Sequence, residues 1–171
     1  MQDLFDRSLG CCFTGHRPDA LPDHGNEKKP AMLVLRAFLD IAIQEAICDG
    51  ITEFYAGGAL GFDMIAAETV LCLRESDPRI SLRLALPGYD QTSGWNTEQI
   101  ARYNAILNKA ASLWYASERC SPGSMQRRNR FLVDHTCRCI AYLRRMRGGT
   151  FYTVNYALDQ EIKVLNLAEH M

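Results

Sequence analysis

What this sequence has little of narrows it first. No apolar run in its 171 residues approaches the roughly 20 residues that a membrane-crossing helix needs, so no membrane contact is expected. The stretch Met1 to Arg7 is too polar and too acidic for a secretory signal, which points to a cytoplasmic protein. No two of the seven cysteines stand as Cys-x-x-Cys, the pairing expected of a structural zinc site, and no metal or cofactor is expected. Most cysteines sit in apolar runs, which reads as buried free thiols in a reducing compartment. Lysine is scarce, with four against fifteen arginines, yet the formal net charge is only −1. That balance makes nucleic acid an unlikely partner, since extended backbone binding needs a surplus of positive charge. Repeats, low-complexity tracts and long linkers are also missing, so residues 1–171 read as one domain.

What is there is a regular alternation of period. Leu9 to Thr14, Ile51 to Ala56, Ile80 to Leu86, Ser112 to Ala116, Cys137 to Leu143 and Ile162 to Leu167 read as strands. Helical segments fall between them, the first starting at Pro30 and ending at Gly50, with Leu33, Ala37, Ile41 and Ile47 as its apolar stripe. Asn96-Thr97-Glu98-Gln99 has the spacing of a capping box. Strands alternating with helices predict an α/β fold, a three-layer sandwich around a mainly parallel sheet.

The punctuation of this pattern carries the functional signal. FYAGGALGFDMIAAE, residues 54–68, places three glycines within five residues between a strand and a helix. A bare backbone at such a turn allows a phosphate to approach a helix N-terminus, or it closes a tight connection where a side chain would clash. Gly148-Gly149-Thr150 forms a second Gly-rich opening, and Thr14-Gly15-His16-Arg17-Pro18 follows the first strand. All three lie after strands, where open parallel sheets bind ligands. The first turn lacks G-x-G-x-x-G and no Gly-Lys-Ser/Thr occurs, so neither the usual dinucleotide fingerprint nor a P-loop applies. Seven arginines crowd one segment, at 127, 128, 130, 138, 144, 145 and 147. They form a solvated face or a phosphate-binding one.

TGHRP, YAGGALGFDMIAAE, SMQRRNRFLVD and GGTFYTVNYA, in that order, resemble the YpsA-like family of the SLOG superfamily, named after the Smf/DprA DNA-processing proteins and the LOG cytokinin-activating hydrolases. The resemblance spans roughly residues 9–167. It implies a Rossmann-like fold and a small-molecule nucleotide ligand, either ADP-ribose- or NAD-like or a nucleoside monophosphate. The LOG branch cleaves the N-glycosidic bond of a nucleoside monophosphate, using Met-x-x-Arg-Lys and then Pro-Gly-Gly-x-Gly-Thr-x-x-Glu. Met125-Gln126-Arg127-Arg128-Asn129 is similar to the first motif, with Arg128 on its arginine and Asn129 in place of lysine. Gly149-Thr150 is similar to the Gly-Thr of the second, but Thr153 stands where that branch has its glutamate.

A threonine hydroxyl neither stabilises an oxocarbenium ion nor activates water as a carboxylate does. The resemblance therefore implies a binder or sensor first. A nucleotide N-glycosidase, with Arg128 and Glu68 as catalytic candidates, is the alternative, and a single-stranded nucleic-acid binder is third. The expected ligand contacts are Thr14, Gly15, His16, Arg17, Gly57, Gly58, Ala59, Gly61, Asp63, Arg128, Asn129, Gly148, Gly149, Thr150 and Thr153. Asp63 reads equally as a local cap, and Trp95 and Tyr89 as a base platform or as core. The sequence leaves a homo-oligomer open.

Overall fold

The computed structural model describes residues 6–171, so most of the stretch read against a secretory signal, Met1 to Phe5, lies outside the described residues. Six strands form one sheet: β1 (Gly10–Gly15), β2 (Glu53–Ala56), β3 (Ser81–Leu86), β4 (Ser112–Tyr115), β5 (Arg138–Tyr142) and β6 (Lys163–Asn166). Every pairing is parallel, in the order β4-β3-β2-β1-β5-β6. Among the described residues the α-helices are α1 (Pro30–Cys48), α2 (Phe62–Ser76), α3 (Thr97–Lys109), α4 (Pro122–Asp134) and α5 (Gly148–Asp159). The expected Rossmann-like α/β sandwich is what the chain forms, with a sheet that is wholly parallel.

Alternation along the strands builds two cores. Cys11 and Phe13 of β1 turn toward α1, α2 and α3, joining Phe54, Leu82, Leu84, Ile140 and Tyr142 from the neighbouring strands. Cys12 turns the other way, toward α4 and α5, with Tyr55, Ala85, Cys139 and Ala141. Both faces of the sheet are covered, which is why the strands read as near-continuous apolar runs.

Local chemistry sets the helix ends. Pro30 opens α1, where its fixed φ suits the first turn. The capping box predicted at α3 is present, with Asn96 Oδ1 accepting from the Gln99 amide at 2.8 Å and Gln99 Oε1 from the Asn96 amide at 3.0 Å. A second box, Ser121 with Ser124, opens α4.

Two expectations need correction. The stripe assigned to α1 is its outer side: Leu33 and Ile41 are 55% and 54% exposed, Ala37 is exposed and Ile47 half-buried. Met32, Leu35, Leu39, Ala42, Ile43 and Ala46 face the core instead. The helix is apolar on both sides, so a 3.6-residue period fits either face and cannot choose between them. The cysteines also divide. Cys11, Cys12 and Cys139 are buried and Cys120 and Cys137 partly so, whereas Cys48 and Cys72 lie exposed on their helices. Among the described residues no helix is long and apolar enough to cross a membrane.

Candidate functional site

The chain builds β1 to β4 outward, then returns to lay β5 on the other side of β1. Strand order reverses between β1 and β5, and a parallel sheet opens a crevice beyond the carboxyl ends of two such strands. A cavity of about 420 Å³ lies there. Its wall combines Thr14, Gly15, His16 and Arg17 after β1, Ala59 and Asp63 from the Gly-rich turn and α2, and Arg128 and Asn129 of α4. Gly148, Gly149 and Thr150 at the start of α5 complete it. Four segments far apart in sequence therefore meet around one space.

The interior of this wall is polar and buried. Thr14, His16, Asp63, Arg128, Asn129 and Thr150 are each no more than 9% exposed, a concentration of buried polar groups that a stable core alone does not need. Arg128 donates through Nη1 to the Gly57 carbonyl and through Nε to Asn129 Oδ1 at 2.8 Å. With Oδ1 so engaged, the Asn129 amide nitrogen is left as a donor near Gly149, where an added Cβ would lie 3.7 Å from it. Asp63 Oδ2 accepts from the Ala59 amide at 3.4 Å. Burial raises the Asp63 carboxyl above its ordinary range, with Arg128 pulling it back down. Burial likewise lowers Arg128, and Asp63 opposes that. Both groups thus move toward their neutral forms, so desolvation outweighs their attraction.

α5 begins at this cavity without a cap. No side chain of its N-cap residue, Arg147, bonds to the first turn, so the free amides there and the positive end of the helix dipole face the cavity. The N-terminus of α4, by contrast, is closed by its Ser121–Ser124 box. Arg17, Arg145 and Arg147 stand exposed on the rim, with Asp19 paired to Arg145 at 3.0 Å.

Not every expected contact lies here. Gly57 is packed beneath Arg128, whose Nη1 would be 2.2 Å from a Cβ at that position. Gly58, at φ 68°, faces the opposite way, toward Leu86, Tyr103 and Gln91. Gly61, at φ 92°, backs onto the His16 carbonyl and Pro18. Thr153 is fully buried and donates its hydroxyl to the Gly149 carbonyl at 2.8 Å. Glu68 lies on the far side of α2, where both its oxygens accept from Arg102, at 2.6 and 2.7 Å. Trp95 packs edge-on against Tyr103, and Tyr89 stacks on Tyr115, both outside the cavity lining. The arginine cluster disperses: Arg130 bonds the Tyr152 hydroxyl and Arg138 pairs with Asp49. Asp19, Met125, Arg145 and Arg147 also line the cavity though none was among the expected contacts, Arg145 and Arg147 having been read only as part of a solvated or phosphate-binding arginine cluster. The last two had a signal, because two arginines between a strand and an uncapped helix start must lie near its amides.

Comparison with known proteins agrees with this fold. The family model named YpsA, described as the YspA SLOG family, matches residues 11–164. The uncharacterized SPbeta prophage-derived protein YoqJ of Bacillus subtilis is 32% identical over 143 residues, covering 76% of this chain and 84% of that protein. A UPF0398 protein of Bacillus pumilus is 30% identical, covering 72% of this chain and 67% of its own length. Among solved structures, DNA processing protein A from Helicobacter pylori, described for its single-stranded DNA binding mode, superposes with a TM-score of 0.63 at 17% identity. The match covers 96% of this chain and 67% of that one. The expectation that nucleic acid is an unlikely partner finds no support in this neighbour.

Proposed function

The chain belongs to the YspA SLOG family, and we propose that its cavity binds a phosphorylated small molecule of the nucleotide class, with the phosphoryl group at the start of α5. One observation carries the reading. The uncapped N-terminus of α5 opens into the same cavity as two buried donors, the Thr150 hydroxyl and the Asn129 amide. An anion placed there meets helix amides, side-chain donors and the rim guanidiniums Arg17, Arg145 and Arg147 at once. Asp63, the carboxylate deepest in the wall, suits hydroxyl groups rather than phosphate, as a ribose would offer.

Calorimetric titration with AMP, ADP-ribose and NAD tests this. Asn129→Leu and Thr150→Val, in folded variants, are expected to weaken the best ligand about tenfold or more, the cost of a lost charge-assisted hydrogen bond. Unchanged affinity in both variants refutes the placement.

The likeness to DNA processing protein A favours a second reading, in which the rim arginines hold a single-stranded nucleic-acid backbone. Such binding weakens steeply as salt rises. Tight, salt-sensitive capture of an oligonucleotide, lost when Arg17, Arg145 and Arg147 are replaced together, would put this reading first.

A further inference from the structure

We propose that His16 is a neutral positioning residue, protonated on Nδ1, that fastens the Arg144–Arg145 loop beside the anion site, so that acidification loosens the site. The ligand half of this proposal rests on the phosphoryl reading above; the fastening does not.

Two backbone amides determine the tautomer. The N–H groups of Arg144 and Arg145 both donate to His16 Nε2, at 2.9 and 3.1 Å. An amide hydrogen needs a lone pair, so Nε2 is unprotonated and the single ring proton sits on Nδ1. The ring is only 7% exposed and meets Tyr142 of β5 edge-on, centroids 6.3 Å apart, so it has little freedom to turn. His16 lines the cavity, and Nδ1–H is the donor it has left to offer there.

The fastened segment matters because it leads directly into the site. Arg145 and Arg147 line the cavity, and Gly148 opens α5. Histidine in an anion site ordinarily strengthens binding when it gains a proton. Here the second proton must go onto Nε2, where it confronts two amide hydrogens already in place. The loop has to let go, withdrawing the rim guanidiniums and disturbing the start of α5. Electrostatic attraction and loop order therefore oppose each other on acidification, and the geometry makes loop order the larger effect.

The surrounding charges agree. Asp19 after β1 and Arg145 on the loop are paired beside the ring. Arg17, Arg147, Asp63 of α2 and Arg128 of α4 line the same cavity. Burial, then the charge of Arg145, holds the imidazole below its ordinary range, with Asp19 pulling weakly the other way.

The test labels the histidines with ¹⁵N and follows them by NMR across pH, with His16→Gln assigning the resonance. Sulfate, dianionic throughout, is titrated in parallel from about pH 7.5 down to about pH 4.5, because burial and Arg145 carry the titration of His16 below that of an ordinary histidine. Glutamine offers the loop an acceptor oxygen but does not titrate. Expected are a lone-pair shift at Nε2, protection of the Arg144 and Arg145 amides that falls with pH once exchange is referred to the intrinsic rate at each pH, and sulfate affinity dropping about tenfold. In His16→Gln sulfate affinity should not fall on acidification, since the remaining titrating group of the wall, Asp63, loses negative charge there. A lone pair found on Nδ1, or parent affinity that rises on acidification, overturns the proposal. Absence of sulfate binding at every pH removes the phosphoryl reading and the ligand half with it, while the nitrogen shifts still decide the fastening.

Discussion

Replacing Arg128 with methionine tests whether the buried charges of the cavity wall form one unit. Arg128 is 6% exposed, and its nearest groups are the Gly57 carbonyl, Asn129 Oδ1 and the field of Asp63. Methionine fills much of the space and supplies none of the donors. The Gly57 carbonyl keeps a partner, because Gln91 Nε2 also donates to it at 3.1 Å. Asn129 Oδ1 loses its donor, and Asp63 loses the main cation that offsets its burial. An orphaned buried acceptor costs about 1–3 kcal/mol, and leaving the Asp63 charge without its compensating cation adds to that. Asp63 can limit the second cost by taking up a proton, so the expected loss is about 3 kcal/mol. For a chain of this length that is roughly a 6–12 °C fall in Tm.

The sign of the pH dependence provides a sharper check. The Asp63 carboxyl is already raised in the folded state, so what it contributes is fully present below its ordinary value and is lost as pH rises through the folded one. Removing Arg128 raises it further, so Arg128→Met should be more destabilised near neutrality than in weak acid. Adding Asp63→Asn should recover at least half of the loss and flatten that dependence, because the uncompensated charge is gone. Urea unfolding at two pH values measures both. A single variant within about 0.5 kcal/mol of the parent, or a double variant whose losses simply add, would refute the coupled wall.

Three further outcomes follow from the same contacts. Gly57→Ala should displace the Arg128 guanidinium and weaken ligand binding, whereas Gly58→Ala, strained at positive φ and facing Leu86, should lower stability by about 1 kcal/mol with affinity intact in the folded fraction. Glu68→Gln should leave ligand binding unchanged and cost no more than about 1 kcal/mol, since its partner Arg102 sits in a partly exposed ion pair; loss of binding in this variant would return Glu68 to the site. Maleimide followed by mass spectrometry should label Cys48 and Cys72 quickly and spare Cys11, Cys12 and Cys139, with Cys120 slow because burial and Asp90 push its thiol up to about 11.

The fold was legible because a buried parallel sheet leaves a clear record: six apolar runs, each ended by glycine, proline or a polar turn, with helices between. The cavity's position was legible for the same reason, since Thr14 to Arg17 and Gly148 to Thr150 both follow strands that flank the reversal of order. What could not be read was direction. The period of α1 fits two opposite faces, and the inward one was set by which side met the sheet. Nor does spacing within residues 54–68 say that Ala59 and Asp63 face the cavity while Gly58 and Glu68 turn away. Asn129 was legible as a contact beside Arg128 in its motif, but not which of its atoms is offered, because that depends on Arg128 occupying its oxygen.

The glycines of residues 57–61 have a different explanation from the one their spacing invites. A phosphate-binding turn needs bare backbone facing its ligand, yet each of these three glycines is bare toward the protein. Gly57 admits the Arg128 side chain, Gly58 admits Leu86 and Gly61 admits Pro18 and the His16 carbonyl. Gly15 belongs with them, since a Cβ there would overlap the Phe62 ring. The turn is therefore a seat in which the segment after β1, α2 and α4 close on one another. Its effect on the cavity is indirect but large. Only a residue without a side chain at position 57 lets a guanidinium from α4 reach its carbonyl, which places Arg128 beside Asp63 and fixes Asn129 with its amide free. The bare helix start offered to a ligand is then that of α5, where Gly149 and Thr150 line the cavity and an added Cβ at Gly148 would meet nothing within 4 Å. One glycine-rich turn assembles the wall and the other leaves room beside it.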